Sequence, residues 1–229
     1  MKQEQLERTI GLISEEGVKK LSSAMVLVCG LGGVGGTALE ALARSGIENF
    51  LLIDFDKVSY SNLNRQILYT ANDVNKDKVE VAKKRLLEIN CDSHIAILSK
   101  RIDNSIQAIL KDYPITFIVD AIDDINGKIA LADYALKNNI PIISSLGMAN
   151  RMDSTKVVVT RLDKTTDDPL ARKLRYEYKQ AGLDTKLINV VYSLEKPQKD
   201  GNKLNSMMMV PSSAGLAIAS YVIKEIINQ

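Results

Sequence analysis

Four glycines and one aspartate near the start of the chain stand at a spacing that suits phosphate chemistry. The glycines are Gly30, Gly32, Gly33 and Gly35, and Asp54 follows roughly twenty residues later. Glycine lets the backbone turn tightly and approach a phosphate with no Cβ in the way. A carboxylate at this distance can accept hydrogen bonds from ribose hydroxyls. These residue types at this spacing predict a nucleotide-binding site.

The segments around this pattern are those that such a site requires. Residues 25–29 form a short apolar run, residues 37–44 carry small and apolar side chains at helical spacing, and residues 50–53 form a second apolar run. This order predicts a strand, a glycine turn, a helix and a strand that ends in the acid. The helix N-terminus offers free N–H groups and a positive dipole end to phosphates. A glycine turn without a ligand is the alternative, and the complete context disfavours it.

Further polar residues follow the second predicted strand. The loop and helix that come next contribute five candidates: Asp56, Asn64, Arg65, Gln66 and Lys78. A polar loop directly after a strand lies at the carboxyl edge of the sheet, where open α/β folds bind ligands. Lys78 lies in the first turn of a helix predicted over 76–90, where a lysine opposes the helix dipole. Either this lysine is merely solvated or an anion nearby compensates the cost.

Carboxylates follow a later apolar run, residues 115–119, which is typical of a central parallel strand. Asp120, Asp123 and Asp124 come directly after it. Carboxylates at this edge are placed to hold a hydrated magnesium ion on a nucleotide. The alternative is an N-cap for the helix predicted over 126–137, and Asp124 suits that cap better than Asp123.

The rest of the chain continues the alternation of strands and helices. Further strands are predicted at 95–98, 141–144, 155–160 and 188–193, and further helices at 14–21, 104–112, from 169 and at 212–227. Residues 197–206 are predicted to form a mobile loop. The fold class is therefore α/β, a Rossmann-like, doubly wound, mostly parallel sheet with flanking helices. We expect one domain over 1–229, with a nucleotide-binding core at about 8–150 and a substrate-facing extension with a C-terminal helix at about 151–229.

Composition restricts the partners of the chain. The net charge is only +2, so any contact with nucleic acid must come from a local patch. One such patch is the basic predicted helix that carries Arg172, Lys173 and Arg175, although a solvated amphipathic helix explains these charges equally well. No apolar run approaches the ~20 residues of a membrane helix, so we expect a soluble enzyme with no membrane partner. Only two cysteines, Cys29 and Cys91, are present, which suggests a reducing cytoplasm. Without a Cys-x-x-Cys pair, no structural zinc site of that kind is expected.

The order and spacing of these candidate residues resemble the ATP site of the ThiF/MoeB/ubiquitin-activating superfamily. The resemblance rests on the glycine loop, Asp54, Asp56, the Asn64-Arg65-Gln66 triplet, Lys78 and the Asp120-x-x-Asp123 pair. Those enzymes adenylate a carboxylate. Residues 168–175 and 191–195 resemble the tRNA threonylcarbamoyladenosine dehydratases, which use ATP to cyclise a modified adenosine beside the tRNA anticodon. With these segments the resemblance covers nearly the whole chain.

The resemblance implies ATP and Mg²⁺ as cofactors and assigns a role to each residue. The glycine loop and Asp54 would hold the nucleotide, Asn64 and Arg65 would contact the triphosphate, and Lys78 would stabilise charge on the phosphates. Asp123 would bind the magnesium ion. In the homodimer that the resemblance implies, Arg8 would reach into the partner's ATP site.

The resemblance also bears on the substrate. Lys128 matches a basic position after the magnesium aspartate and joins Arg172, Lys173 and Arg175 as candidate contacts to tRNA. A cysteine desulfurase or another sulfur-relay protein is a further candidate partner.

Two alternatives remain open. An activator of a ubiquitin-like sulfur carrier shares the adenylation site, but no cysteine follows Cys91, which argues against a thioester or persulfide mechanism. A nicotinamide-dependent oxidoreductase or a silent Rossmann scaffold is weaker. A dehydrogenase has no need of Arg65, Lys78 and Asp123 together, and a silent scaffold would have lost some of them.

Overall fold

The fold is built on one seven-stranded sheet within the residues that the computed structural model describes, 1–198 and 203–228. The strands are β1 (Met25–Cys29), β2 (Asn49–Ile53), β3 (His94–Leu98), β4 (Phe117–Asp120), β5 (Ile142–Ser145), β6 (Val157–Arg161) and β7 (Asn189–Ser193). Their order across the sheet is β3-β2-β1-β4-β5-β7-β6. Every neighbouring pair is parallel except β6 with β7. The predicted mostly parallel α/β sheet is confirmed.

Helices cover both faces of this sheet. They are α1 (Gln3–Ser23), α2 (Gly33–Arg44), α3 (Lys78–Ile89), α4 (Ile106–Leu110), α5 (Ile125–Lys137), α6 (Pro169–Gln180) and α7 (Met209–Ile227). Val26 and Val28 of β1 pack with α2, α3 and α7 on one face, whereas Leu27 and Cys29 pack with α4, α5 and α6 on the other. This alternation follows from the two-residue period of a strand, and it explains why the central strands are apolar throughout.

The N-terminal helix is longer than the sequence predicts. It begins at Gln3 rather than Ser14, and Ser14 interrupts it with a φ of 67°. The predicted cap is present, because the Gly17 N–H donates to the Ser14 Oγ over 3.4 Å. The predicted loop at 197–206 is only partly described, since residues 199–202 lie outside the described residues, and 203–206 have no regular structure.

The C-terminal helix α7 packs across α2 at very short range. A Cβ on Gly215 would lie 2.5 Å from the Val34 carbonyl oxygen, so the two backbones touch. Among the described residues, α7 is the one helix long and apolar enough to cross a membrane. The expectation that no segment approaches that length was too strict. However, Ala214 and Ile218 are fully buried inside the fold, as expected of a core helix.

Candidate active site

The glycine loop between β1 and α2 depends on two of its glycines for its shape. Gly30 has a φ of +85°, which side chains rarely adopt, and a Cβ there would lie 2.6 Å from the Ala121 carbonyl oxygen. A Cβ on Gly35 would lie 1.8 Å from the Gly30 carbonyl oxygen. Gly32 differs, because the nearest atom to its Cβ position is 3.7 Å away. Backbone atoms therefore pack closely against the loop at Gly30, Gly35 and Gly33, the last of which lies against the Arg65 carbonyl oxygen. The loop is open toward the cleft at Gly32.

Two side chains hold the middle of this loop. The Leu31 N–H donates to Oδ2 of Asp54 over 2.7 Å, and the Tyr69 hydroxyl donates to the Leu31 carbonyl over 2.9 Å. Burial, followed by the negative charges of Asp54 and Asp56, raises the pKa of Tyr69 well above its usual value, so the hydroxyl remains a donor. Asp54 thus organises the loop as well as facing the cleft. Tyr69 was not predicted, because a tyrosine outside a motif carries no sequence signal.

A cleft of about 590 Å³ opens at the carboxyl ends of β3, β2, β1 and β4. This is where the strand order predicts a ligand. Eight of the predicted site residues line it: Gly30, Gly32, Asp54, Asp56, Arg65, Gln66, Lys78 and Asp123. Gly33, Gly35 and Asn64 support the cleft without lining it.

The cationic side of the cleft contains Lys78 and Arg65. Lys78 begins α3, is only 4% exposed, and places its Nζ 2.8 Å from Oδ2 of Asp56. This carboxylate compensates the unfavourable position of a lysine at a helix N-terminus. The Arg65 guanidinium donates to the Ser61 carbonyl and to Oδ1 of Asn64, over 2.7 and 2.9 Å. Two cations held in fixed positions at the mouth of a glycine loop can stabilise phosphate charge.

Gln66 lines the same cleft and has a buried acceptor without a partner in the described part of the chain. The residue is 7% exposed, and its Oε1 has no hydrogen-bond partner among the described residues. A buried acceptor without a partner is unfavourable, and a donor group of a ligand would satisfy it once the side chain turns toward the cleft. A ligand that carries donor groups beside its anionic ones would use this acceptor.

Aromatic and aliphatic side chains line the far end of the cleft. The Arg101 guanidinium lies 4.3 Å from the centre of the half-exposed Phe55 ring, and Ile102 and Ile122 lie nearby in the lining. Such a surface suits a flat nucleobase. Sequence reasoning missed these residues together with Lys100. Lys100, Arg101 and Ile102 follow β3, whose end meets the site only because β3 is the parallel neighbour of β2, whereas Phe55 follows β2 and Ile122 follows β4.

Of the three aspartates at the end of β4 and directly after it, only Asp123 is left for a ligand. Asp124 lines the cleft but caps α5, since its Oδ2 accepts from the Gly127 N–H over 2.8 Å. Asp120 is fully buried. No group of three or more His, Cys, Asp or Glu side chains forms a metal cage in the described part of the chain. Asp123 together with ligand phosphates and water is nevertheless a set of donors that Mg²⁺ accepts.

Lys128 does not occupy the surface position that a tRNA contact requires. Its side chain is 0% exposed, and its Nζ lies 2.9 and 3.0 Å from the two carboxylate oxygens of Asp120, which is equally buried. The expectation that Lys128 contacts tRNA is therefore wrong for this structure. The helical spacing of α5 turns this lysine toward β4 rather than toward solvent.

The other predicted basic residues divide into two groups. Arg8, Arg172 and Lys173 are exposed, and none of them lines the cleft of its own chain. Arg175 instead turns inward and donates to the carbonyl and the hydroxyl of Thr165. This pairing leaves Arg175 as a stabiliser of the loop before α6 more than as a free charge.

An arginine that sequence reasoning did not single out anchors α6 beside the carboxyl edge. Arg151 is 6% exposed and donates to the Gly147 and Glu195 carbonyls and to the Asp168 carboxylate. Asp168 in turn caps α6 through the Ala171 N–H. The start of this basic helix is thus fixed to the loops after β5 and β7, next to α5.

Comparisons with known proteins agree with this geometry. A model of the ThiF family matches residues 5–228. The tRNA threonylcarbamoyladenosine dehydratase of Bacillus subtilis is 34% identical over 242 residues, which cover 98% of this chain and 95% of that protein. The Escherichia coli enzyme of the same name is 37% identical, over 84% of this chain and 75% of its own length. The crystal structure of that enzyme with ATP superimposes with a TM-score of 0.93 at 32% identity, covering 98% and 94% of the two chains.

Proposed function

The chain belongs to the ThiF family and, within it, to the tRNA threonylcarbamoyladenosine dehydratases, and from this we propose that it uses ATP to dehydrate threonylcarbamoyladenosine in tRNA. One observation carries the proposal. The glycine loop, Arg65, Lys78 and Asp123 all face a single cleft at the carboxyl edge of the sheet. Adenylation of a carboxylate requires these groups in one site. A Rossmann-type protein without catalytic activity has no need to hold them together.

The proposed reaction converts a poor electrophile into a good one. A carboxylate oxygen of the threonyl group attacks the α-phosphorus of ATP, and pyrophosphate leaves. The carboxyl carbon then carries AMP as a leaving group. A carbamoyl oxygen or nitrogen of the same side chain attacks that carbon and releases AMP, which closes the ring. The second step is intramolecular and needs positioning more than a protein nucleophile.

The residues of the cleft take defined roles in this scheme. The N-terminus of α2 and the open face at Gly32 accept the phosphates. Lys78 and Arg65 stabilise the negative charge that develops on them. Asp54 holds the loop and faces the ribose. Asp123 is the residue that would hold Mg²⁺, which supplies charge neutralisation on the phosphates when bound.

Exposed Arg172 and Lys173 are the tRNA contacts that we retain. They lie at the start of α6, which Arg151 holds at the carboxyl edge, and both side chains are exposed. Phosphate contacts of this kind make binding dependent on salt.

The assay is mass spectrometry of nucleosides from tRNA that carries threonylcarbamoyladenosine, after incubation with the protein, Mg²⁺ and ATP. We expect the nucleoside to lose one water, and we expect Lys78→Ala to lower the rate at least about a hundredfold while the protein stays folded. If no water is lost while a ubiquitin-like protein drives pyrophosphate exchange, the proposal is replaced by sulfur-carrier activation. Normal turnover in Lys78→Ala would refute the assignment of the site.

We further propose a homodimer in which Arg8 completes the partner's site. Arg8 is exposed and does not line the cleft of its own chain. Mixing inactive Arg8→Ala protein with inactive Lys78→Ala protein tests this directly. If Arg8 acts on the partner, each mixed dimer regains one complete site and activity returns. If Arg8 acts within its own chain, no mixed dimer has a complete site and the mixture stays inactive.

The location and the further partner are part of the same proposal. Cys29 and Cys91 are both free thiols, which fits a reducing cytoplasm. A cysteine desulfurase or another sulfur-relay partner stays a prediction from the family resemblance.

A further inference from the structure

A short segment ahead of α7 is attached at both ends to loops of the carboxyl edge. We call residues 203–206 the linking segment. Lys203 and Asn205 contact Asn150, which lies in the loop after β5. Ser206 contacts Asn64, which lies beside the cleft. Neither asparagine lines the cleft. Their contacts nevertheless lead to a residue that does.

Asn150 is shaped to hold this segment. Its backbone has a φ of 59°, a conformation that asparagine tolerates better than most residues. Its side-chain Nδ2 donates to the Lys203 carbonyl over 2.9 Å, and its Oδ1 accepts from the Asn205 N–H over 2.7 Å. Its backbone N–H donates to the Asn205 carbonyl over 2.7 Å. One residue therefore fixes the segment through both side chain and backbone.

Asn64 connects the other end of the segment to the cleft. Its Nδ2 donates to the Ser206 carbonyl over 2.8 Å, and its Oδ1 accepts from the Arg65 guanidinium over 2.9 Å. The amide cannot turn without breaking one of these bonds. The orientation of Arg65, which lines the cleft, is thus tied to the position of the linking segment.

We propose that Asn64 and Asn150 are positioning residues that act through the linking segment to hold Arg65 in place for the nucleotide. The inference rests on the proposed function, because it assumes that the cleft binds ATP. It differs from the resemblance, in which Asn64 contacts the triphosphate itself. It also gives the loop after β5 an indirect influence on ATP affinity, although no described residue of that loop lines the cleft.

The test measures ATP affinity by calorimetry, with Mg²⁺ and without tRNA, in the full chain. Asn64→Ala removes a hydrogen bond to a charged group, and we expect the Kd for ATP to rise about five- to tenfold. Asn150→Gly keeps the left-handed backbone accessible but removes both side-chain bonds, and we expect a rise of about two- to fivefold. Asn150→Asp keeps the acceptor and loses the donor, so it should fall between wild type and Asn150→Gly.

The double variant separates positioning from general destabilisation. Two residues in one chain of contacts are not additive, so Asn64→Ala with Asn150→Gly should bind ATP no worse than Asn64→Ala alone. The matched control is Asn139→Gly. Asn139 has a φ of 55° at the end of α5 and makes no contact with the linking segment among the described hydrogen bonds. This control should leave the Kd unchanged.

Each outcome bears on a different claim. If the two effects multiply, or if Asn150→Gly leaves the Kd unchanged, the positioning role is refuted while ATP binding stands. If the wild-type protein does not bind ATP at all, the proposed function itself fails. Thermal melting of every variant shows whether a weaker Kd reflects a smaller folded fraction.

Discussion

Replacing Lys128 with methionine tests the buried ion pair between α5 and β4. Both partners are 0% exposed, and the lysine contacts both oxygens of the Asp120 carboxylate. Methionine has a similar length but no charge, so it leaves a carboxylate buried without its partner. Removing one member of a buried pair costs about 3–5 kcal/mol. For a chain of this size, about 2–4 °C of melting temperature corresponds to each kcal/mol, which gives a loss of about 6–20 °C.

The assay is thermal unfolding followed by circular dichroism, compared with a second variant and a surface control. Adding Asp120→Asn to Lys128→Met removes both charges and should restore most of the loss, because a neutral pair has no uncompensated charge. The control is Lys173→Met, an exposed lysine of α6. We expect it to change stability by less than about 0.5 kcal/mol. It should, however, weaken tRNA binding.

We therefore expect Lys128→Met to lower stability and Lys173→Met to weaken tRNA binding. A Lys128→Met protein that melts like wild type but binds tRNA poorly would refute the buried pair and restore this lysine to the surface. A melting temperature that falls equally in the single and the double variant would show that packing, rather than charge, sets the cost.

Three further predictions address the loop, the carboxylates and pH. Gly35→Ala should unfold or strongly destabilise the protein, whereas Gly32→Ala should melt like wild type and weaken only ATP affinity; equal melting temperatures would contradict this. Asp124→Ala should cost about 0.5–2 kcal/mol as a lost cap but keep some turnover, whereas Asp123→Ala should keep its melting temperature and lose turnover. Burial would raise the pKa of Glu40, but its hydrogen bonds with two arginines lower it. Glu40→Gln should therefore be less stable than wild type by about 1–2 kcal/mol at pH 7, and this difference should vanish as pH falls through the lowered pKa, below about 4.5. A difference that is as large at pH 3 as at pH 7 in urea unfolding would refute the assignment.

The sequence predicted the sheet because its signals are local. Apolar strands, a glycine turn and caps such as Asp168 and Ser14 leave a trace within a few residues, and the structure has all of these. The helix before Ser14 was missed because a residue with a positive φ separates it from the predicted one. Nothing in the side-chain pattern announces that two helices join there.

The site was predicted only as far as its residues belong to motifs. Arg65, Lys78 and Asp123 were named in advance and line the cleft. Phe55 and Arg101 were not, since their meeting depends on which strand lies beside β2. Lys128 was misplaced for a related reason. Most lysines are exposed, so the sequence favours a surface position for Lys128. Its burial depends on the buried Asp120 that faces it, and the sequence does not show that the two side chains meet.

The contact between α2 and α7 can form only after the ribosome has made nearly the whole chain. About 165 residues separate the end of α2 from the start of α7. At roughly 5–20 residues per second, a ribosome needs about ten to thirty seconds to make them. During that time the small-residue face of α2 has no cover. The helix that begins at the nucleotide loop packs on β1 and α3 earlier but completes its packing only near the end of translation, so a chain stalled before α7 would expose that face to chaperones and proteases.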